Sequence, residues 1–264
     1  MPKVSILVST YNDCLTLKES LMSISGQTFK DFECLIINDA SVDATSEFLD
    51  SISNNDPRFI IIHNSSKKGL VSNLRVLLAK ASGKYIARLD TDDVWAKKTK
   101  LEEQVELLDF NPRLGLVGTG ALVESMNQQQ LYIIHPKVTD SDIRKEMLFH
   151  NPFVHSSILA RKSFVMEVGG YRDAYPHVED YDLWLRLGAI SEFANIPTPL
   201  VLYRVRQGSI TEQNNEQQIK ACIALVKANK KQYPFYVLAI LKWYLQLIFP
   251  GILGKFRRTI LRYV

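Results

Sequence analysis

Strand-like and helix-like segments alternate through the first 120 residues, and each strand-like run stops at a polar or acidic turn. The spacing predicts strands over 4–9, 32–38, 59–63 and 85–89. Helices are predicted between them: over 15–25 on Leu17, Leu21 and Ile24 with Gly26 as C′ residue, from Asp43 as cap to about 54, and from the Lys67-Lys68-Gly69 loop to near 83. Such alternation means a mostly parallel sheet with helices on both faces. Ligands of open α/β sheets bind just beyond the carboxyl ends of the strands, so the residues at those ends carry the functional question.

A helix over 98–109 and a strand over 114–119 follow, and then the pattern changes. Strand-like pieces at 131–134, 156–160 and 200–205 lie between helices near 140–149 and 179–187. They read as completing the same sheet, because no Pro/Gly/Ser-rich linker or internal repeat appears before residue 210. The expected architecture is an α/β domain over 1–210, a single Rossmann-like mixed sheet flanked by helices, with a C-terminal helical extension over 211–264.

Composition narrows the class. With 46% hydrophobic and 23% charged residues the chain is ordinary for a soluble globular protein. A net charge of +4 is mild, and no aromatic-laced basic stripe crosses the body, which argues against nucleic acid as a partner. Cys14, Cys34 and Cys222 have no metal-ligand spacing and read as buried thiols of a reducing compartment. The chain enters a strand pattern at Val4 without a charged leader and apolar signal core, so a cytoplasmic location is expected.

The run KYIARLDTDD, residues 84–93, ends a strand in three carboxylates, Asp90, Asp92 and Asp93. Adjacent carboxylates repel, and they are tolerated in water or around a positive group such as a divalent cation or arginine. A solvated turn with an acidic helix N-terminus is the competing reading. Thr10-Tyr11-Asn12 follows the first strand and Asp39 the second, so all three groups should line one sheet edge. There Asp39 can accept hydrogen bonds from a base or ribose, and Tyr11 can offer an aromatic face. The structural alternatives are an Asx-turn for Asp39 and a helix cap for Asn12. Arg88 shares the strand face of Asp90, either to meet a nucleotide or to form a salt bridge beneath the cluster. Neither GxGxxG nor GxxxxGK[ST] is present, and Thr-Tyr-Asn-Asp stands where a Gly-rich basic loop would follow the first strand. Phosphate neutralisation therefore points to a metal at the acidic cluster.

The strings VSILVSTYND, LIINDASVDAT, GKYIARLDTDD, VGGYRD and VEDYDLWLRL occur in that order, and together the chain resembles the inverting glycosyltransferases of family 2 over about residues 3–206. The resemblance implies a GT-A fold and a nucleotide-diphosphate sugar donor. It implies that Asp39 contacts the base and that Thr10, Tyr11 and Asn12 line the nucleotide pocket. Asp90 and Asp92 would be the DxD pair on Mn²⁺ or Mg²⁺, with Asp92 on the metal and Asp90 nearer the ribose. Asp93 could substitute for either, since DTDD allows two registers. Asp180 matches the position of the catalytic base. A carboxylate there can take the proton of an attacking hydroxyl. Asp182 reads as a first-turn helix acid, and Glu179 stays open. Gly169-Gly170-Tyr171 is either a tight turn near the substrates or a helix stop, and His155 is more often a structural type of residue. One departure stands out: where many relatives carry a YRxH-like segment, this chain has Tyr203-Arg204-Val205-Arg206. Arginine cannot ligate a metal but binds phosphate, so Arg204 or Arg206 is expected at the diphosphate.

Residues 235–249 are almost wholly apolar. As a helix they would reach roughly 22 Å, short of a bilayer core of about 30 Å. Lys255, Arg257, Arg258 and Arg262 follow with no acidic residue, which suits an amphipathic, in-plane element on an anionic leaflet, peripheral on the inner face of the membrane. The alternative is a helix packed on the domain or across a homodimer. The implied activity is transfer from a UDP- or dTDP-sugar to a hydroxyl of a saccharide, in particular a lipid-linked one, in polysaccharide biosynthesis. A polyprenyl-phosphate sugar synthase and a non-catalytic nucleotide-sugar-binding subunit are the alternatives.

Overall fold

In the computed structural model, which describes residues 1–205 and 215–249, the first four strands are β1 (Val4–Thr10), β2 (Phe32–Asn38), β3 (Phe59–His63) and β4 (Tyr85–Arg88). Helices α1 (Cys14–Ser25), α2 (Thr45–Asn55) and α3 (Leu70–Lys80) join them. β1 pairs in parallel with β2 and β4, and β2 with β3, as crossover helices require. Thr10 lies opposite Asn38, and Asn38 opposite His63, while Leu7 lies opposite Arg88. This register brings the turns after β1, β2 and β4 out at one sheet edge.

The second half contributes β5 (Val94–Trp95), α4 (Lys100–Phe110), β6 (Leu114–Ser125), β7 (Gln130–Ile134), α5 (Asp140–Glu146), β8 (Leu159–Arg161), α6 (Lys162–Glu167), α7 (Glu179–Leu187) and β9 (Glu192–Val205). Together the described strands form one nine-stranded sheet in the order β3-β2-β1-β4-β8-β6-β9-β5, with β7 paired to β6. β8 is antiparallel to β4 and β6, so the mixed second half does complete the first sheet.

Several boundaries differ from expectation for physical reasons. β9 starts at Glu192 and not near 200, because a register shift against β6 around Thr119 and Gly120 accommodates Pro197 and Pro199. β5 and α6, at 2 and 6 residues, are too short to show a period. Gly26 ends α1 in right-handed backbone, φ −74°, and not as a left-handed C′ glycine. Ala44 stands at the N-cap of α2, while the Asp43 carboxylate accepts the Thr45 amide at 3.1 Å.

Period-two alternation divides the core between the two faces of the sheet. Ile6, Val8, Cys34 and Ile36 pack with Leu17, Leu21 and Ile24 of α1 and Leu101, Val105 and Leu108 of α4. Leu7, Leu35 and Ile37 share the other cluster with Leu74, Leu77 and Leu78 of α3 and Trp184 of α7. That cluster also holds Ile219, Cys222 and Val226 of α8 (Asn215–Ala228) and Ala239 and Trp243 of α9 (Tyr236–Ile248). The C-terminal helices thus share the core of the sheet, and the boundary expected at 210/211 falls outside the described residues. Cys34 and Cys222 are buried thiols, whereas Cys14 is half-buried. Among the described residues, no helix is long and apolar enough to cross a membrane.

Gly83, just before β4, is a close-approach point: a Cβ there would lie 2.6 Å from the Ser5 amide nitrogen and 2.8 Å from the Val4 carbonyl carbon. Gly83→Ala is expected to cost about 1–3 kcal/mol in a urea unfolding curve, because backbone atoms have no rotamer with which to yield.

Candidate active site

β4 ends at Arg88, whose side chain is fully buried beneath the acidic turn. Its Nη1 donates to the Leu7 carbonyl at 3.0 Å and to the Leu89 carbonyl, and its Nη2 to Asp90 Oδ1. The salt bridge beneath the cluster is therefore the geometry found. The Asp90 amide donates to Ser156 Oγ at 3.0 Å. Burial works against ionisation of Asp90, but the Arg88 charge and the hydrogen bonds from Ser156 and Arg88 hold its carboxyl below the usual range. Asp92 is half-buried on the same turn, which the Asp93 amide closes on the Asp90 carbonyl at 3.0 Å.

The third carboxylate turns inward. Asp93 is buried, and it accepts hydrogen bonds from Ser156 Oγ and, at 2.9 Å, from the Arg204 amide. Burial and then the charges of Asp90 and Asp92 push its carboxyl well above the usual range. The expected metal role does not fit this geometry, because its oxygens serve the turn's scaffold. Arg204 also departs from expectation. Its buried guanidinium pairs with Glu19 at 2.7 Å and Glu124 at 2.9 Å, so it is not directed to a diphosphate. Arg206 lies outside the described residues.

At the neighbouring turns, Asp39 is buried and ties down the loop after β3. Its Oδ1 accepts from Asn64 Nδ2 at 2.7 Å and from the Lys68 amide at 2.8 Å, and its Oδ2 from the Gly69 amide at 2.9 Å. Burial opposes ionisation, yet these donors outweigh it and lower the carboxyl's pKa. Asn12 links loops as well: its amide donates to Ser41 Oγ at 3.0 Å, and its Oδ1 accepts the Val42 amide at 2.9 Å. Neither the local Asx-turn nor the helix cap accounts for these contacts. Tyr11 is exposed with Lys67 Nζ 3.6 Å above its ring centroid. Thr10 is buried, and its Oγ1 has no hydrogen-bond partner among the described residues.

On the far side of the edge, Gly169 and Gly170 have φ of +84° and +62°, left-handed backbone that glycine adopts without strain. This turn delivers Tyr171, whose hydroxyl lies 2.8 Å from His155 Nε2. Burial and then Arg88 push His155 down to about 3, so it is a neutral imidazole. Asp180, in the first turn of α7, accepts from Asn151 Nδ2 at 2.6 Å and from the Tyr181 amide at 2.6 Å. Burial, followed by Glu179, pushes Asp180 up to about 7, and Asp90 adds to the rise. Asp90 also acts on Glu179, which burial likewise raises. Asp182 is a different kind of acid: it is buried and gripped by Arg172 at 2.6 Å and Arg186 at 2.7 Å.

The model of the family described as "Glycosyl transferase family 2" matches residues 5–169. The chain belongs to this family. It is a glycosyltransferase, similar to an uncharacterized glycosyltransferase of Haemophilus influenzae at 31% identity over 88% of this chain and 74% of that one. It is similar to the amylovoran biosynthesis glycosyltransferase AmsE of Erwinia amylovora, at 27% identity over 84% of each chain. Escherichia coli WfaP, named a UDP-Glc:alpha-D-GlcNAc-diphosphoundecaprenol beta-1,3-glucosyltransferase, is 26% identical over 83% of this chain and 84% of its own. Among solved structures, S. aureus TarS 1–349 in complex with UDP-GlcNAc superposes with a TM-score of 0.71 at 16% identity, covering 94% of this chain and 73% of that one. The mannosyltransferase PcManGT of Pyrobaculum calidifontis, in complex with GDP-Man and Mn2+, gives 0.68 at 18%, covering 93% and 70%. The fold of this glycosyltransferase is GT-A.

Among the described residues, no group of three or more His, Cys, Asp or Glu side chains could hold a metal ion. Mg²⁺ and Mn²⁺ do not need one: such ions keep several waters and bind one or two carboxylates together with substrate phosphates. Asp90 and Asp92 form a hard-oxygen set of that kind. Sequence reasoning did not identify Ser156, Asn151 or Lys67. Ser156 and Asn151 belong to the NPFVHSS segment, in which His155 is the one titratable side chain. Asn151 reaches Asp180 across a gap of 29 residues, and no spacing rule reports such a contact.

Proposed function

We propose that this glycosyltransferase moves a sugar, with inversion, from a uridine or thymidine diphosphate sugar to a hydroxyl of a lipid-linked saccharide during polysaccharide assembly. The observation that carries this reading is the convergence at one sheet edge of an ionised Asp90 and an Asp180 pushed up to about 7. A base of that strength is half-ionised at neutral pH and matched to taking a proton there. The acceptor oxygen attacks the anomeric carbon from the face opposite the diphosphate, and Asp180 takes the hydroxyl proton. The bond from carbon to diphosphate oxygen breaks, and the nucleoside diphosphate leaves with the electron pair. Asp90 and Asp92 would hold Mg²⁺ or Mn²⁺, which would supply charge neutralisation for a diphosphate leaving group. The Mn2+ in the PcManGT complex and the donor and lipid-linked acceptor in the name of WfaP support this reading.

The nucleoside would rest against Thr10, Tyr11 and Asn12. A carboxylate oxygen accepts more than one hydrogen bond, so Asp39 Oδ2 can take a base N–H beside the Gly69 amide. Lys67 must leave the Tyr11 ring for a base to stack there, which frees an ammonium for the phosphates. Of the two arginines expected at the diphosphate, Arg206 keeps that assignment. Lipid-linked acceptors call for a membrane contact, and α9 offers one. Val237, Leu238, Leu241, Leu245 and Ile248 are exposed on it, and the basic residues from Lys255 to Arg262 follow in sequence.

Four outcomes are expected. Asp180→Asn should lower kcat by about 10²–10⁴-fold while donor affinity stays unchanged; full activity would instead favour a lipid phosphate as acceptor. In wild type, kcat/KM should fall about tenfold per unit as pH drops below about 7, because protonation removes the base. Calorimetry with UDP- and dTDP-sugars should show binding strengthened by Mn²⁺, an effect abolished in Asp92→Asn. Co-sedimentation with anionic vesicles should be lost in a Leu241→Glu/Leu245→Glu double variant, whereas loss of a dimer in its place would assign the face to a second copy.

A further inference from the structure

Past the end of α5, three successive backbone carbonyls are each met by a side chain from another helix. Tyr181 Oη of α7 donates to the Met147 carbonyl at 2.5 Å, Trp243 Nε1 of α9 to the Leu148 carbonyl at 2.8 Å, and Lys242 Nζ of α9 to the Phe149 carbonyl. Met147, Leu148 and Trp243 are buried, and Lys242 Nζ sits 3.8 Å from the Trp243 ring centroid, so the two α9 donors brace one another. The strap leads directly to Asn151, which donates to Asp180 and whose own Oδ1 accepts the Phe153 amide at 3.2 Å. Pro152 restricts the Asn151 backbone to extended conformations, so a displacement of the strap is passed on to the Asn151 side chain.

We propose that α9 is a positioning element for Asp180, with Trp243 and Lys242 as positioning residues that act through the strap 147–151 and Asn151. The outer face of α9 is the surface assigned above to the membrane, so one helix would link the acceptor's location to the alignment of the base. Without the Trp243 N–H, the buried Leu148 carbonyl loses its donor and the strap must rearrange to regain one. The inference rests on Asp180 as the base, and the experiment separates the two.

The full-length protein, carrying ¹³Cγ-labelled aspartate, is titrated by NMR, and Asp180→Asn identifies the Asp180 resonance. The groups facing Asp180 are Glu179 and the Tyr181 amide from α7, Asp90 beyond β4, Tyr171 after α6, and Asn151 from the strap. Of these, Asn151 follows directly on the carbonyls that the α9 donors hold. Asn151→Ala should raise the midpoint by roughly half a pH unit or more, since the lost N–H favours the ionised form. Trp243→Phe, which keeps an aromatic ring, and Lys242→Met, which keeps the stem, should raise it by a smaller amount. Both should also speed hydrogen exchange of the 147–151 amides. Midpoint and exchange at wild-type values in these two variants, with Asn151→Ala shifted, would overturn the coupling. If Asp180→Asn removes no resonance that titrates near 7, the reading of Asp180 as base fails first, and the coupling fails with it.

Discussion

A guanidinium with no access to solvent makes the acidic edge of this sheet tolerable. Arg88 sits at the end of β4 under carboxylates that would otherwise repel one another, bonded to Asp90 and to two backbone carbonyls. Its charge keeps Asp90 ionised despite burial and helps keep His155 neutral. It also opposes the rise at Glu179 and Tyr171. This buried charge thus acts together with burial itself on Asp90, His155, Glu179 and Tyr171.

That pattern separates carboxylates that look alike in sequence. Asp90 is held ionised, Asp93 is raised and buried in the scaffold, and Asp180 is poised near neutrality. Ser156 joins the first two: the Asp90 amide donates to its Oγ, which in turn donates to Asp93. Trp95 of β5 donates to the Ser156 carbonyl at 2.9 Å, so the short strand inserted after the acidic turn has a structural purpose. Asp182 provides the contrast, since a pair of arginines makes it a structural anchor two residues from Asp180.

The C-terminal helices change the picture of the domain. α9 is apolar because one side completes the core through Ala239 and Trp243, while its other side stays exposed. Amphipathicity shows that a helix has two faces, but not that its inner face ends on the strap next to Asn151 and Asp180. Lys242, which reads in sequence as a polar interruption, is a donor to that strap.

Much was legible in the residues alone. The first four strands, the helices between them and the sheet edge carrying Asp39, Asp90 and Asp92 follow from period-two and helical spacing, because local backbone preference and burial repeat within each segment. The placement of Asp180 near that edge came from resemblance, not from periodicity. What stayed illegible was non-local. Whether Arg204 reaches a ligand or Glu19 and Glu124, whether Asp93 faces outward or toward Ser156, and what orients Asp180 all depend on partners tens of residues away. The sequence by itself determined the strand–helix order and the chemical types at the strand ends, since those are properties of neighbouring residues. Only the tertiary structure decided which carboxylates are ionised and which are scaffold, since that depends on burial and on charges that packing of the whole chain brings together.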